Sequence, residues 1–181
     1  MDFAKVSTLQ KTDMLVSFLD LQGFGSIAHV IKDPVELFTF MNGWASTIIK
    51  EVEGTSGGVL KFIGDECLVI FPEDSVDSGI GSLLSIKKKT EAYFKEKGFS
   101  CKLRVTAHFG EVAIGLLGEG SFQCVDIIGE VVNTAATLGR GEQGGQFVIS
   151  PQTFRKLSAS VRKNFQKHTP PIVYVAKDNL S

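Results

Sequence analysis

Residues 57–71, GGVLKFIGDECLVIF, restrict the fold of this chain more than any other segment. Two apolar runs flank a polar break at Gly64-Asp65, the composition of a tight reversal between paired strands. Upstream, MLVSFLDL (Met14 to Leu21) is an apolar run that meets an acid and then the loop sequence QGFG, which predicts a buried strand leading into a loop. The intervening DPVELFTFMNGWASTIIKEVE predicts a helix, with Asp33 as N-cap and Pro34 in the first helical position. Leu37, Phe40, Met41, Trp44, Ile48 and Val52 recur along it at helical steps and form one apolar face.

After Pro72 a helical period resumes over residues 75–97, through Val76, Ile80, Leu83 or Leu84, Ile86 and Phe94. CKLRVTAHFGEVAIGLLG is predicted to be a second hairpin pivoting near Gly110, with Leu103, Val105 and Ala107 alternating along its first arm. DIIGEVVNTAATLGR has the small-residue content of a closely packed helix, ended with the help of Gly139 and Gly141. GGQFVIS and PQTFRKL predict a strand and a short helix, and PPIVYVAKD a closing strand. Strands and helices therefore alternate, with two hairpins among them. This predicts an α+β domain on a βαββαβ-type antiparallel sheet.

The chain's 181 residues suit one such domain, with a core over about 14–176, and 43 per cent hydrophobic with 22 per cent charged residues is the balance of a folded globular chain. A net charge of -1 recruits neither nucleic acid nor anionic lipid, so any phosphate binding must be local. Cys67, Cys101 and Cys124 are widely spaced and odd in number, which argues against a disulfide framework or a zinc site and for small core residues in a reducing cytosol. No signal peptide opens the sequence and no apolar run approaches the ~20 residues of a membrane span, so a cytoplasmic location without membrane insertion is expected.

Chemistry concentrates at Asp20 and Asp65, each at the end of an apolar strand. Both carboxylates are ionised at neutral pH, and two close carboxylates repel unless a cation lies between them. Magnesium, which takes one or two protein carboxylates together with substrate phosphates, suits that pair; the competing reading is that each acid merely ends a strand. Gly23 and Gly25 in DLQGFG allow close backbone approach to a phosphate or serve as plain turn residues. Lys87 to Lys89 read as a solvated helix face, and His29 and His108 as structural.

FLDLQGFG, LKFIGDECLVIF, LRVTAHFGEVAIG, VDIIGEVVNTAATL and GGQFVISPQTF resemble, in order, successive blocks of the class III nucleotidyl cyclase catalytic domain, from about Met14 to Tyr174. The resemblance implies a ferredoxin-like βαββαβ core with an extra hairpin and C-terminal strands, paired head to tail as a homodimer with active sites shared across the interface. It implies two Mg2+ or Mn2+ ions at Asp20, Leu21 and Asp65, one activating the ribose 3′-hydroxyl and the other neutralising the triphosphate. The loop Gly23, Phe24 and Gly25 would approach the substrate, with Gly25 in place of a common threonine. Lys61 and Asp126 stand where adenylate cyclases place their purine-reading lysine and aspartate, and Asn133 where an asparagine orients the ribose.

Two further positions depart from the family pattern. Thr137 replaces the arginine that stabilises the α-phosphate, leaving Arg140, three residues on, as either a substitute or a solvated helix-end residue. Lys167 is only the nearest candidate for a triphosphate-binding lysine. IGDECLVIF is also similar to the GGDEF turn of diguanylate cyclases, but Ile63 and Cys67 break that pattern. The expected activity is adenylate cyclase, forming cyclic AMP and pyrophosphate from ATP and slowed by Thr137. The alternative is a catalytically silent nucleotide-binding or regulatory domain; guanylate and diguanylate cyclase are minor options.

Overall fold

The computed structural model describes residues 1, 3, 6–138 and 146–177. Strand β1 (Gln10–Gln22) is buried from Met14 to Leu19 and is an interior strand of the sheet. It pairs antiparallel with β3 (Glu66–Pro72) on one side and β4 (Lys102–Leu117) on the other. With β2 (Gly58–Ile63) outside β3, the order β2-β3-β1-β4 is the expected ferredoxin-like core. The sheet continues through β6 (Phe147–Ile149) and β8 (Val173–Ala176) to β7 (Phe165–His168), while β5 (Cys124–Ile128) pairs with the far end of β4.

One face of the sheet carries the larger core. Helix α1 (Phe24–Val30) follows β1 directly, and α2 (Pro34–Val52) begins as the sequence predicts, with the Asp33 carboxylate accepting from the amides of Val35 and Glu36. Its apolar stripe delivers Trp44, Ile48 and Val52 into the core, and Leu37, Phe40 and Met41 pack against it. Burying Ile48 or Val52 contributes about 1.5–3 kcal/mol each. Beside it α3 (Val76–Glu96) buries Val76, Ile80, Leu83, Ile86 and Phe94. The opposite face is covered by the shorter α4 (Glu130–Thr137), packed with Met14, Val16, Phe18, Leu68 and Ile70. Helices α5 (Pro151–Lys156) and α6 (Ala159–Arg162) precede β7.

Three expectations are corrected. Lys102–Leu117 is one continuous strand, and the reversal falls beyond Gly118 rather than at Gly110. Gly110 lies opposite Met14 in the β1–β4 ladder, and a Cβ there would stand 2.7 Å from Cγ2 of Val131. Close approach of α4, not a turn, requires that glycine. Asp126 to Ile128, expected to open a helix, instead end β5, which completes the second hairpin; α4 ends at Thr137, and Gly139 and Gly141 lie outside the described residues. Cys124 is exposed on β5, whereas Cys67 and Cys101 are buried as expected. In the Lys87 to Lys89 run, Lys88 and Lys89 are exposed, and Lys87 and Lys89 pair with Glu91 and Glu51.

His108 is buried and hydrogen-bonded. Its Nδ1 lies 2.8 Å from the Ser150 hydroxyl, which accepts from the Thr153 amide at the start of α5. Gly110→Ala should lower the unfolding free energy by about 1–3 kcal/mol in a urea titration, because Val131 is β-branched and cannot swing away freely. An unchanged midpoint would contradict the contact between α4 and β4.

Candidate active site

The site forms where β1 ends and the β2–β3 hairpin turns. Asp20 lies within the last residues of β1, and Asp65 follows Gly64, whose φ of 62° supplies the left-handed turn. Leu21 ties the two together: its amide donates to the Asp65 carbonyl at 3.2 Å. Because an extended residue sends its N–H and C=O to the same strand edge, the Leu21 carbonyl faces the Asp65 side as well, while its side chain is buried.

Asp20 titrates above the ordinary carboxylate range, first because it is partly buried and then because the Asp65 charge opposes its own. Two influences pull the other way: the Arg104 guanidinium and a hydrogen bond from the Gln22 side-chain amide. The folded protein therefore holds the Asp20 proton more tightly than an unfolded chain does. The associated stability is present at low pH and is lost as pH rises through the raised value. A cation at the pair reverses that cost.

Among the described residues no cluster of three or more His, Cys, Asp and Glu assembles a metal cage. Two carboxylates and a nearby backbone carbonyl do not suit zinc, which takes three or four protein ligands. They fit an ion that keeps water and substrate oxygens in its shell, as Mg2+ and Mn2+ do.

Arg104 was not singled out by the sequence pattern. It stands directly opposite Asp20 in the β1–β4 ladder, and its Nη2 donates to the Leu138 carbonyl at the end of α4, 2.7 Å away. Thr106, two residues on, donates to Ala135 on the same helix at 2.7 Å. A lone arginine alternating with the apolar Leu103 and Val105 was the available signal, but only the register shows that it meets Asp20.

Lys61 and Asp126 come together as well. Lys61 follows an irregularity in the β2–β3 register, opposite Leu68, and its Nζ lies 2.6 Å from Oδ2 of Asp126 on β5. Asn133 and Thr137 occupy one exposed stripe of α4, where the Thr137 hydroxyl donates to the Asn133 carbonyl at 2.9 Å. Gly23, with φ of 97°, turns the chain into α1; Phe24 packs down on the core, and a Cβ at Gly25 would meet open space. The chain does not bring Lys167 to the aspartates: it is exposed on β7, separated from β1 by β4, β6 and β8. Arg140 lies outside the described residues.

A ferredoxin-like sheet with paired strand-end carboxylates and a Lys–Asp pair defines a domain of the class III cyclase fold. The solved adenylyl cyclase CyaB from P. aeruginosa superposes with a TM-score of 0.80 at 18% identity, over 95% of this chain and 97% of that one. The guanylate cyclase domain of RhGC from Catenaria anguillulae, solved in complex with GTP, gives 0.79 at 18% identity, over 93% and 98%. Residues 6–178 match the family described as "Adenylate and Guanylate cyclase catalytic domain", and the chain belongs to that family. An adenylate cyclase of Anabaena cylindrica is 24% identical over 155 residues, 80% of this chain but only 31% of that protein. No helix among the described residues is long and apolar enough to cross a membrane.

Mn2+ at about a hundred times its Kd should raise the melting temperature by roughly 5–10 °C, from about 2.7 kcal/mol of linkage in a domain of this size. The gain should grow as pH rises through the raised Asp20 value. Asp20→Asn should abolish the gain while raising the metal-free melting temperature at neutral pH. Differential scanning fluorimetry with and without Mn2+ measures both.

Proposed function

We propose that this domain is an adenylate cyclase that converts ATP to cyclic AMP and pyrophosphate. The observation that carries the reading is the 2.6 Å contact between Lys61 and Asp126, two residues far apart in sequence that meet as a ready pair of donor and acceptor. An ammonium complements the ring-nitrogen acceptors of adenine, and a carboxylate complements its exocyclic amino group. The ribose 3′-oxygen attacks the α-phosphorus in line, its proton departs, and the bond to pyrophosphate breaks. A pair of Mg2+ or Mn2+ ions would supply activation of that hydroxyl and charge neutralisation on the triphosphate.

Asp20, the Leu21 carbonyl and Asp65 would hold those ions, and Arg104, beside Asp20, places positive charge toward the phosphates. The loop at Gly23, Phe24 and Gly25 brings backbone close to the substrate without side-chain obstruction at Gly25. Asn133 orients the ribose from the exposed stripe of α4. Lys167, on β7, lies away from the chain's own aspartates. A homodimer in which one copy supplies the aspartates and the other supplies Lys61, Asp126 and Asn133 would gather them in one cleft. The free thiols suit a cytoplasmic setting.

Thr137 favours a second reading, a domain that binds ATP without turning it over. Its hydroxyl is engaged by its own helix, and it cannot replace a guanidinium's charge or donor fork. Losing one aimed donor costs roughly 10² to 10³ in rate.

Purified protein incubated with ATP and Mn2+ should form cyclic AMP, and Asp65→Ala should abolish the product. No product at high protein concentration, alongside measurable ATP binding, selects the silent domain. Thr137→Arg should raise kcat by about 10 to 10³. Lys61→Ala and Asp126→Ala should each cut the ATP-over-GTP preference by about tenfold or more, as expected for losing a charged hydrogen bond.

A further inference from the structure

Strand β4 is flanked by β1 from Lys102 to Ile114, but on its other edge β6 pairs only from Val105 to Ala107. The Val105 amide takes the Gln146 carbonyl at 3.0 Å. Two residues earlier, Leu103 directs its own N–H and C=O to that same edge, where β6 no longer runs. Helix α3 takes over: Oε1 of Glu91 accepts from the Leu103 amide at 3.2 Å, and Nζ of Lys87 donates to the Leu103 carbonyl at 3.0 Å.

Glu91 and Lys87, one helical turn apart, are paired with each other as well, at side-chain exposures of 25% and 21%. Such partial burial screens them less than an open surface would. Two side chains thus act as one more rung of a strand. The Leu103 side chain is fully buried, and the next residue is Arg104, which leaves on the opposite face toward Asp20 and Leu138.

We propose that Glu91 is a positioning residue for nucleotide binding: with Lys87 it completes the sheet edge at Leu103 and fixes the backbone from which Arg104 meets the metal-bound triphosphate. The inference rests on the reading of this site as a nucleotide site. Removing the carboxylate leaves the Leu103 amide buried and unpaired, so the backbone at 103–104 shifts and Arg104 loses its aim. Glutamine keeps the accepting oxygen in place and should preserve it.

The test is a double-mutant cycle on the 181-residue chain, reading the Kd of ATP in Mn2+ by calorimetry, and KM and kcat for cyclic AMP. All variants are held below their own melting transitions. Glu91→Ala should weaken ATP binding about tenfold, within the range of coupling between contacting groups. Glu91→Gln should stay within about twofold of wild type, and Glu91→Ala added to Arg104→Ala should cost less than about twofold more.

An undiminished loss in the Arg104→Ala background overturns the proposal, as does equal loss in the Gln and Ala variants or no loss at all. Binding without turnover would sink the catalytic reading alone, since the cycle still runs on Kd. Absence of ATP binding would sink both.

Discussion

The antiparallel ladder between β1 and β4, unbroken from Gln10 opposite Ile114 to Gln22 opposite Lys102, fixes everything else in this domain. Its register sets Asp20 against Arg104 at one end and Gly110 against Met14 in the middle. A slip of one residue would send every side chain of β1 to the other face, putting Asp20 into the apolar core and Leu19 into the site. Burial of Leu15 and Leu19 on one face, and of Val16 and Phe18 on the other, makes that slip prohibitively costly.

The two faces of the sheet do different work. Beneath α2 and α3 lies a dense core containing Trp44, Ile48, Phe71, Ile80 and Phe94, which holds the strands rigid. The face under α4 mixes apolar residues with Thr106, Arg104, Asp20 and Lys61. Thr106 and Arg104 use their hydrogen bonds on the last carbonyls of α4, so the helix that bears Asn133 is anchored to the strand that pairs with β1 at Asp20.

Electrostatics at the carboxylate pair follows from the same geometry. Partial burial and Asp65 raise the cost of ionising Asp20, while Arg104 lowers it only in part. The pair thus carries negative charge held at some expense, a cost that a bound cation would relieve. Cys101, whose Sγ donates to the Gln22 carbonyl at 3.3 Å, is held as a thiol by burial and by the surrounding acids, its pKa pushed up to about 11.

The sequence alone determined the elements whose signals are local. Asp33-Pro34 capped α2, its apolar period named the buried face, and Gly64-Asp65 located the first hairpin, because caps, periodicity and tight turns depend on neighbours within a few residues. The order of motifs also made the family legible, and it pointed to Asp20, Asp65, Lys61, Asp126 and Asn133 as candidate site positions. Only the tertiary structure decided that Gly110 is a contact instead of a turn, that residues 124–128 belong to a strand, that Arg104 faces Asp20, and that Lys167 lies at the opposite edge of the sheet. Each of those depends on which strand lies beside which and in what register, a choice made by long-range burial that no short window of residues contains.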